Sequence, residues 1–467
     1  MTRIVPPSRR GACPALTAPM ATGDGLLVRL VPVDGALSPT ALLGLCAAAR
    51  AFGNGILEVT ARGSLQLRGL RPETVSPLHE AVNALSITAR EGVPLDVSPL
   101  AGLEAGARSD ARALANQIRA AIASFAAGLG PKVSVVLDDG GAVLLAALKA
   151  DIRLTLDPTT HPSGPADWVL ALAGDAATAR PLGRLPETRL VAVVVDLLDR
   201  LAQLGPVARM ADILRATDLA TLRHQLALAP PDADDTAPSE PHPAPAPIAS
   251  FPLADGTLAL GIGLPFGHTE AQTLEALVAA AQAAGVRDLR PAPGRVLLAT
   301  GLSTAGADHL RAAASALDFL TTPADPRRFV AACPGAPGCA SGHIPARALA
   351  PEVAAALAPI LDGSLEVHVS GCPKGCAHPA RAALTLVGLE ADTMDKAVAL
   401  VREGKASDAT QPHQTVAALV PTLARFAAAL ATARQPGETS AEAMTRLTPA
   451  DAGEPSLLEF AVLEPAS

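Results

Sequence analysis

Two close pairs of cysteines are the residues of this 467-residue chain best suited to chemistry. Each pair flanks a short loop rich in Gly and Pro, Pro-Gly-Ala-Pro-Gly in the first and Pro-Lys-Gly in the second. Such loops can turn four thiolates toward one small volume while backbone amides donate hydrogen bonds to sulfur, which suits a 4Fe-4S cluster. The sequence therefore predicts four cluster ligands: Cys333, Cys339, Cys372 and Cys376.

Two other interpretations of the four cysteines stay open at this stage. Structural zinc sites usually separate paired cysteines by two to four residues, and the five-residue gap after Cys333 departs from that spacing. Four unliganded core thiols are the second alternative, although these coil-like loops do not resemble apolar core segments. Of the remaining cysteines, Cys46 lies in an apolar helical pattern and is expected to be unliganded, whereas Cys13 could approach a substrate.

Three polar residues close to the cysteine pairs are candidate catalytic groups. Lys374 lies between two predicted ligands, where a cation could raise the cluster potential, bind a substrate carboxylate or simply face solvent. His343 and His378 follow the two pairs and are candidate iron ligands or acid–base groups. The spacing of His268 and His368 predicts no metal site.

A second pattern predicts an anion-binding face. Arg62, Gln66 and Arg68 alternate along a predicted strand from Thr60 to Leu70, so their side chains share one face. Arginine can bind a carboxylate through two parallel hydrogen bonds, which suits a ligand with several carboxylates. A solvated sheet face would show the same alternation. The equivalent strand in the second half of the chain lacks these charges, so the cationic face is expected in one half only; Lys132 is a weaker candidate.

The elements that position these residues form a twofold repeat. A strand, helix and strand pattern beginning near Asp24 recurs near Asp255, at an offset of about 232 residues. Each copy is followed by a helix, a glycine stop and a strand, at 114–137 and at 349–369. Only the second copy carries the cysteine pairs, which suggests a duplication followed by loss of the site in the first half.

Changes in composition along the chain predict a linker and the domain boundaries. The segment 229–247 is rich in Pro, Ala, Asp, Ser and Glu and is predicted to be a linker. The remaining expected boundaries are an N-terminal extension at 1–21, half-domains at 22–100 and 248–325, larger domains at 101–228 and 326–435, and a tail at 436–467. The expected class is α+β.

The overall charge narrows the range of partners. A net charge of -8, a single Trp and no Tyr argue against nucleic acid as a partner.

The apolar stretch 416–433 contains Pro421 and Arg425, which favours a core helix over a membrane span. With no signal-peptide pattern, a cytoplasmic protein is expected. No Gly-x-Gly-x-x-Gly motif links a strand to a helix, so an external electron donor or NADH is expected.

The cysteine spacing within a twofold repeat resembles the sulfite and nitrite reductase superfamily, across most of residues 22–400. Four segments are most similar to the precorrin-3B synthase family of that superfamily: 11–14, 22–27, 60–70 and 370–379. The resemblance implies that each half consists of a ferredoxin-like half-domain and a cluster-type α/β domain. It also implies macrocycle binding by basic residues of the 60–70 segment.

The function implied by this resemblance is a monooxygenase of aerobic cobalamin biosynthesis. It would hydroxylate precorrin-3A at C20 and close a γ-lactone, using dioxygen, reducing equivalents, the 4Fe-4S cluster and a mononuclear non-haem iron. The alternative is a sirohaem-dependent sulfite or nitrite reductase, in which Cys376 would bridge to the sirohaem iron. Sulfite or nitrite reduction uses clustered basic residues to bind and protonate a small oxyanion. The chain has only five lysines against 32 arginines, and this scarcity of lysine argues against the reductase alternative. A cluster-bearing electron-transfer or assembly protein is a third alternative.

Overall fold

The structure is a computed structural model that describes residues 14–157, 166–231, 247–390, 397–409 and 414–447. Cys13, most of the predicted linker and the chain after residue 447 lie outside these ranges. The described residues form four β-sheets. Two pairs of sheets share the same strand order, which confirms the predicted α+β class and the twofold repeat.

The first half-domain is an antiparallel sheet covered by two helices. Its elements are β1 (Met20–Thr22), β2 (Gly25–Leu30), α1 (Pro39–Phe52), β3 (Ile56–Val59), β4 (Leu65–Leu70) and α2 (Pro72–Ala84). Helix α1 begins where the Ser38 hydroxyl accepts a hydrogen bond from the Ala41 N–H at 3.1 Å, as expected of an N-cap. Its buried face includes Leu45 and Cys46. Cys46 is therefore a core residue, and burial raises the pKa of its thiol to about 12.

The domain that follows carries no cysteine. Its elements are β5 (Leu95–Val97), α3 (Ala111–Ile122), β6 (Val135–Asp138), β7 (Ala150–Leu156), β8 (Asp167–Gly174), β9 (Arg180–Pro186), α4 (Glu187–Leu204), α5 (Met210–Ala216) and α6 (Leu219–Gln225). The strands lie in sequence order, with β5, β6 and β7 parallel and the last two antiparallel. Helix α4 buries Leu190, Val194, Leu197 and Leu201, whose spacing of three or four residues produces one apolar face.

The second half-domain repeats the first and is joined to it. Its elements are β10 (Ser250–Pro252), β11 (Leu258–Gly263), β12 (His268–Glu270), α7 (Ala271–Ala283), β13 (Asp288–Ala292), β14 (Val296–Leu302) and α8 (Thr304–Ala316). Strand β12 pairs with β3 of the first half-domain, where His268 lies opposite Glu58. Residues of α1 and α7 belong to one core, so the two half-domains form a single packed unit.

The last domain repeats the strand order of the second one. Its elements are β15 (Val330–Ala332), α9 (Ala346–Leu357), β16 (Val367–Ser370), β17 (Ala382–Leu389), β18 (Ala397–Gly404), β19 (Gln414–Thr415), α10 (Val416–Ala433) and α11 (Ser440–Arg446). Among the described helices, α10 alone has the length and apolar composition that could cross a membrane. Its residues Leu419, Leu423 and Phe426 are buried in the same core as Val353 of α9. Helix α11 lies in the segment expected to be a tail, and its Ala443 joins this core.

Candidate functional site

The predicted cluster ligands follow two neighbouring parallel strands. In β15 and β16, Ala332 lies opposite Val369. Cys333 directly follows β15, and Cys372 comes shortly after the end of β16. Parallel neighbours end on the same side of a sheet, where ligand sites of α/β domains are commonly found. The sheet therefore brings together two cysteine loops that are distant in sequence.

Backbone hydrogen bonds join the two cysteine loops. The Gly371 N–H donates to Cys333 Sγ at 3.1 Å. The His343 N–H donates to the Gly371 carbonyl at 2.7 Å. A Cβ atom on Gly371 would lie 2.8 Å from the Cα of Gly335, so a larger residue would force the loops apart. Glycine is required here by the close approach of the two loops.

The charges of two other predicted ligands, Cys372 and Cys376, act on the Cys333 thiol. Burial raises the pKa of Cys333, hydrogen bonds from the backbone of Gly371 and Gly335 lower it, and charges on Cys376 and Cys372 raise it again. Bound iron would offset the repulsion among thiolates, so this donor set fits an iron–sulfur cluster. Among the described residues, no three His, Cys, Asp or Glu side chains already surround a point that could hold one metal ion. A 4Fe-4S cluster does not need such a point, because its cysteines bind different iron atoms.

Lys374 contributes its side chain to this site, whereas His343 contributes its backbone. The Nζ of Lys374 donates a hydrogen bond to the Ser341 hydroxyl at 2.7 Å, which links the two cysteine loops. The His343 residue is half-buried, and its backbone rather than its ring makes the hydrogen bond between the loops. A catalytic role for either side chain stays a prediction.

His378 lies beside a buried histidine that the sequence pattern did not select. The Nε2 of His378 is 3.1 Å from the Arg381 carbonyl and 3.6 Å from Glu366 Oε2. Its ring centroid is 5.8 Å from that of His368. His368 is fully buried, and neither ring nitrogen has a hydrogen-bond partner. Burial, together with the charges of His378 and Arg295, lowers the pKa of His368 to about 3.

The first half-domain reaches the cysteine loops through the turn between β1 and β2. A Cβ on Gly23 would lie 1.8 Å from the Ala340 nitrogen and 2.4 Å from the Cys339 Cα, so this turn packs directly on the loop. The next residue, Asp24, accepts hydrogen bonds from Nε and Nη2 of Arg68, each at 2.9 Å. This bidentate pair is buried, with side-chain exposures of 9% for Arg68 and 10% for Asp24.

Glu58 is the centre of the same charge network and was missed in the sequence. Its Oε2 accepts a hydrogen bond from Gln66 Nε2 at 2.8 Å and lies 3.5 Å from Nη1 of Arg68. It also forms an ion pair with Arg347 of α9, which ties the first half-domain to the cysteine-bearing domain. Gln66 accepts a further hydrogen bond from Arg29 at 2.9 Å. The expected open cationic face is thus a buried network in which carboxylates balance the arginines.

Arg62 differs from its predicted position. It lies in the turn between β3 and β4, not on a strand, because Thr60 N–H donates to the Ser64 carbonyl at 2.9 Å and closes the hairpin. Its guanidinium pairs with Asp96 and donates to the Lys149 carbonyl at 2.8 Å, both in the cysteine-free domain. Arg62 therefore does not share the face of Gln66 and Arg68.

A small cavity lies beside Arg62. Its volume is about 50 Å³, and its lining includes Arg90, Asp96 and Arg112. Pockets for drug-sized ligands are typically several hundred Å³, so a macrocycle cannot enter this cavity without displacement of the hairpin. Lys132 occupies the turn before β6 and is half-buried.

Comparisons with known proteins relate the chain to one superfamily. The model of the nitrite/sulfite reductase ferredoxin-like half domain matches residues 18–85. The chain is 37% identical over 441 residues to a precorrin-3B synthase from Sinorhizobium sp, which spans 94% of this chain and 93% of that protein. A ferredoxin sulfite reductase 2 from Mycolicibacterium paratuberculosis is 29% identical over 167 residues, with 33% of this chain and 30% of that protein covered.

The fold has a solved counterpart. The Mycobacterium tuberculosis NirA protein superimposes with a TM-score of 0.66 over 91% of this chain and 84% of that one. The sequences are 19% identical, so this likeness describes the fold alone. It extends over both halves of the repeat.

Proposed function

Because the chain belongs to the precorrin-3B synthase family, within the nitrite and sulfite reductase superfamily, we propose that it hydroxylates precorrin-3A at C20 and closes the γ-lactone in aerobic cobalamin biosynthesis. The observation that carries this proposal is 37% identity across 94% of the chain. The sulfite reductases match only about a third of the chain. The substrate is then a tetrapyrrole, with dioxygen and an external electron donor or NADH as co-reactants.

The proposed cofactors are a 4Fe-4S cluster and a mononuclear non-haem iron. The cluster ligands would be the four thiolates at the ends of β15 and β16: Cys333, Cys339, Cys372 and Cys376. For the single iron we assign no ligand set, because no three His, Cys, Asp or Glu side chains among the described residues surround one point; His343 and His378 stay candidate ligands. When bound, the cluster supplies single electrons and the iron activates dioxygen.

The chain itself would bind and orient the macrocycle. Of the four predicted residues, we propose that Arg62 and Lys132 contact the substrate, whereas Gln66 and Arg68 act from within the buried network. The side chain of Arg62 is 35% exposed and can exchange Asp96 for a substrate carboxylate. Arg68 is enclosed by Asp24 and Glu58, so it would act mainly as a positioning residue that holds the β1–β2 turn against the cysteine loop.

Isotope labelling tests the proposed reaction. Holoenzyme supplied with precorrin-3A, a reductant and ¹⁸O-labelled dioxygen should place one labelled oxygen in the product hydroxyl, whereas labelled water should not label it. Protein isolated without substrate should show broad iron–sulfur absorption and no sharp sirohaem bands. Stoichiometric sirohaem together with sulfite-dependent oxidation of a reduced dye would instead establish a sirohaem-dependent reductase.

A further inference from the structure

The tips of two equivalent hairpins contact each other. Arg62 in the β3–β4 tip forms a β-bridge with Pro293 in the β13–β14 tip. The Gly294 N–H donates to the Ala61 carbonyl at 3.1 Å. The residue after Gly294 is Arg295, so the second tip also carries an arginine. Cationic charge is therefore present at both hairpin tips, although the strand face of Gln66 and Arg68 has no charged counterpart in the second half.

The two arginines reach opposite domains. Arg62 contacts Asp96 and Lys149 of the cysteine-free domain. Arg295 lies on the side of the cysteine-bearing domain: its side chain crosses Gly267, and the preceding residue, Phe266, packs against the core of that domain.

Arg295 is held in an unfavourable backbone conformation. Its φ is +65°, in the left-handed region that glycine and asparagine tolerate better than long side chains. Its carbonyl accepts a hydrogen bond from the Leu264 N–H at 2.9 Å. Its side chain crosses Gly267, where an added Cβ would lie 2.5 Å from the Arg295 Cδ. Strain of this kind is retained where the side chain serves a function.

The guanidinium of Arg295 has no hydrogen-bond or ion-pair partner among the described residues. Burial lowers its pKa more than the charges of Glu366 and Glu58 raise it. Glu58 already pairs with Arg68 and Arg347. Two more groups of this region lack partners, the buried Nε of Arg347 and both ring nitrogens of His368. Unsatisfied donors gathered in one region are what an anionic ligand requires.

We propose that Arg295 binds a carboxylate of the tetrapyrrole substrate on the side of the second hairpin tip that faces the cysteine-bearing domain. This inference rests on the proposed function and adds a substrate contact from the second half of the chain. An acetate or propionate side chain presents two oxygens in one plane, which matches the guanidinium fork. The contact would add an arginine of the second half-domain to Arg62 of the first.

The experiment compares Arg295→Asn with Arg287→Asn in the holoenzyme. Asparagine tolerates the left-handed conformation and removes the charge, while Arg287 is an exposed arginine of the same half-domain paired with Asp255. Anaerobic titration with precorrin-3A should give a Kd about 10-fold to 150-fold higher for Arg295→Asn. Arg287→Asn should bind as the wild type does. Arg295→Lys should fall between, because the charge remains and the fork is lost.

Thermal unfolding separates ligand binding from a structural role. Loss of strain and of an unpaired charge should leave the Tm of Arg295→Asn unchanged or higher. An unchanged Kd would overturn the inference, and so would a Tm that falls by several degrees together with the affinity, because that would assign Arg295 to the structure. Wild-type protein that carries its cluster and does not bind precorrin-3A would overturn the proposed function and this contact with it.

Discussion

Replacement of Arg68 by methionine is the sharpest test of the buried charge network. The substitution keeps most of the side-chain volume and removes the guanidinium of a side chain that is 9% exposed and bound to Asp24 through two hydrogen bonds of 2.9 Å. Loss of one partner leaves Asp24 and Glu58 buried without their cation. Breaking a buried ion pair in this way typically costs about 3–5 kcal/mol. We expect a loss of that size in the free energy of unfolding.

The loss should depend on pH in a defined direction. Burial raises the pKa of Asp24, but hydrogen bonds from Arg68 and Thr22 outweigh it and hold the pKa below 3.8. In the wild type, the Asp24 carboxylate thus contributes stability above pH 3.8 that is lost as the pH falls below it. Without Arg68, burial dominates and protonation of Asp24 becomes favourable. The difference in stability between wild type and Arg68→Met should therefore shrink as the pH falls from 7 toward 4.

The assay is denaturant unfolding followed by circular dichroism, with chelator-driven loss of the brown absorption as a second readout. Because Gly23 packs on the Cys339 loop, release of the neighbouring Asp24 should speed this loss. Arg71→Met is the matched control: its side chain is 71% exposed, and its ion pair with Glu73 should contribute less than about 1 kcal/mol. Equal effects of the two substitutions on the free energy of unfolding would refute the reasoning.

Three further substitutions test the site. Serine in place of any of the four cluster cysteines should remove most of the iron and the brown colour, whereas Cys46→Ser should retain both; metal analysis that finds four irons per chain in a ligand variant would contradict the assignment. Arg62→Ala should weaken precorrin-3A binding by about 1.5–3 kcal/mol in anaerobic titration, and Arg62→Lys should recover part of it; unchanged affinity in Arg62→Ala would remove this residue from the substrate site. Burial and the charge of Arg347 lower the pKa of His268 from 6.5 to about 4. The folded protein therefore keeps His268 neutral, and its stability falls as the pH drops from 6.5 toward 4, where the unfolded chain binds the proton more readily. His268→Phe should reduce this pH dependence of the Tm, and an unaltered profile would contradict the prediction.

The loops that carry the cysteine pairs and the repeat could be predicted because their signals are local. Cysteine pairs separated by Gly and Pro define loops whatever surrounds them, and the strand–helix–strand pattern recurs with constant spacing. The turn position of Arg62 was missed because alternation of side chains continues through a tight hairpin in sequence, and only the hydrogen bond from Thr60 to Ser64 shows where the strand ends. The sequence spacing also gave no reason to select His368, because only the fold brings it next to His378.

The sequence by itself determined which residue types are present and that Gln66 and Arg68 share one face of a strand. It could not determine what covers that face, because period-two alternation is the same for a solvated surface and for a buried network. The tertiary structure decided that Asp24 and Glu58, from two other strands, neutralise Arg68. It also decided that Arg62 is paired while Arg295, at the equivalent hairpin tip, has no partner among the described residues. Charge balance depends on distances between chain segments that only the packed domains bring together.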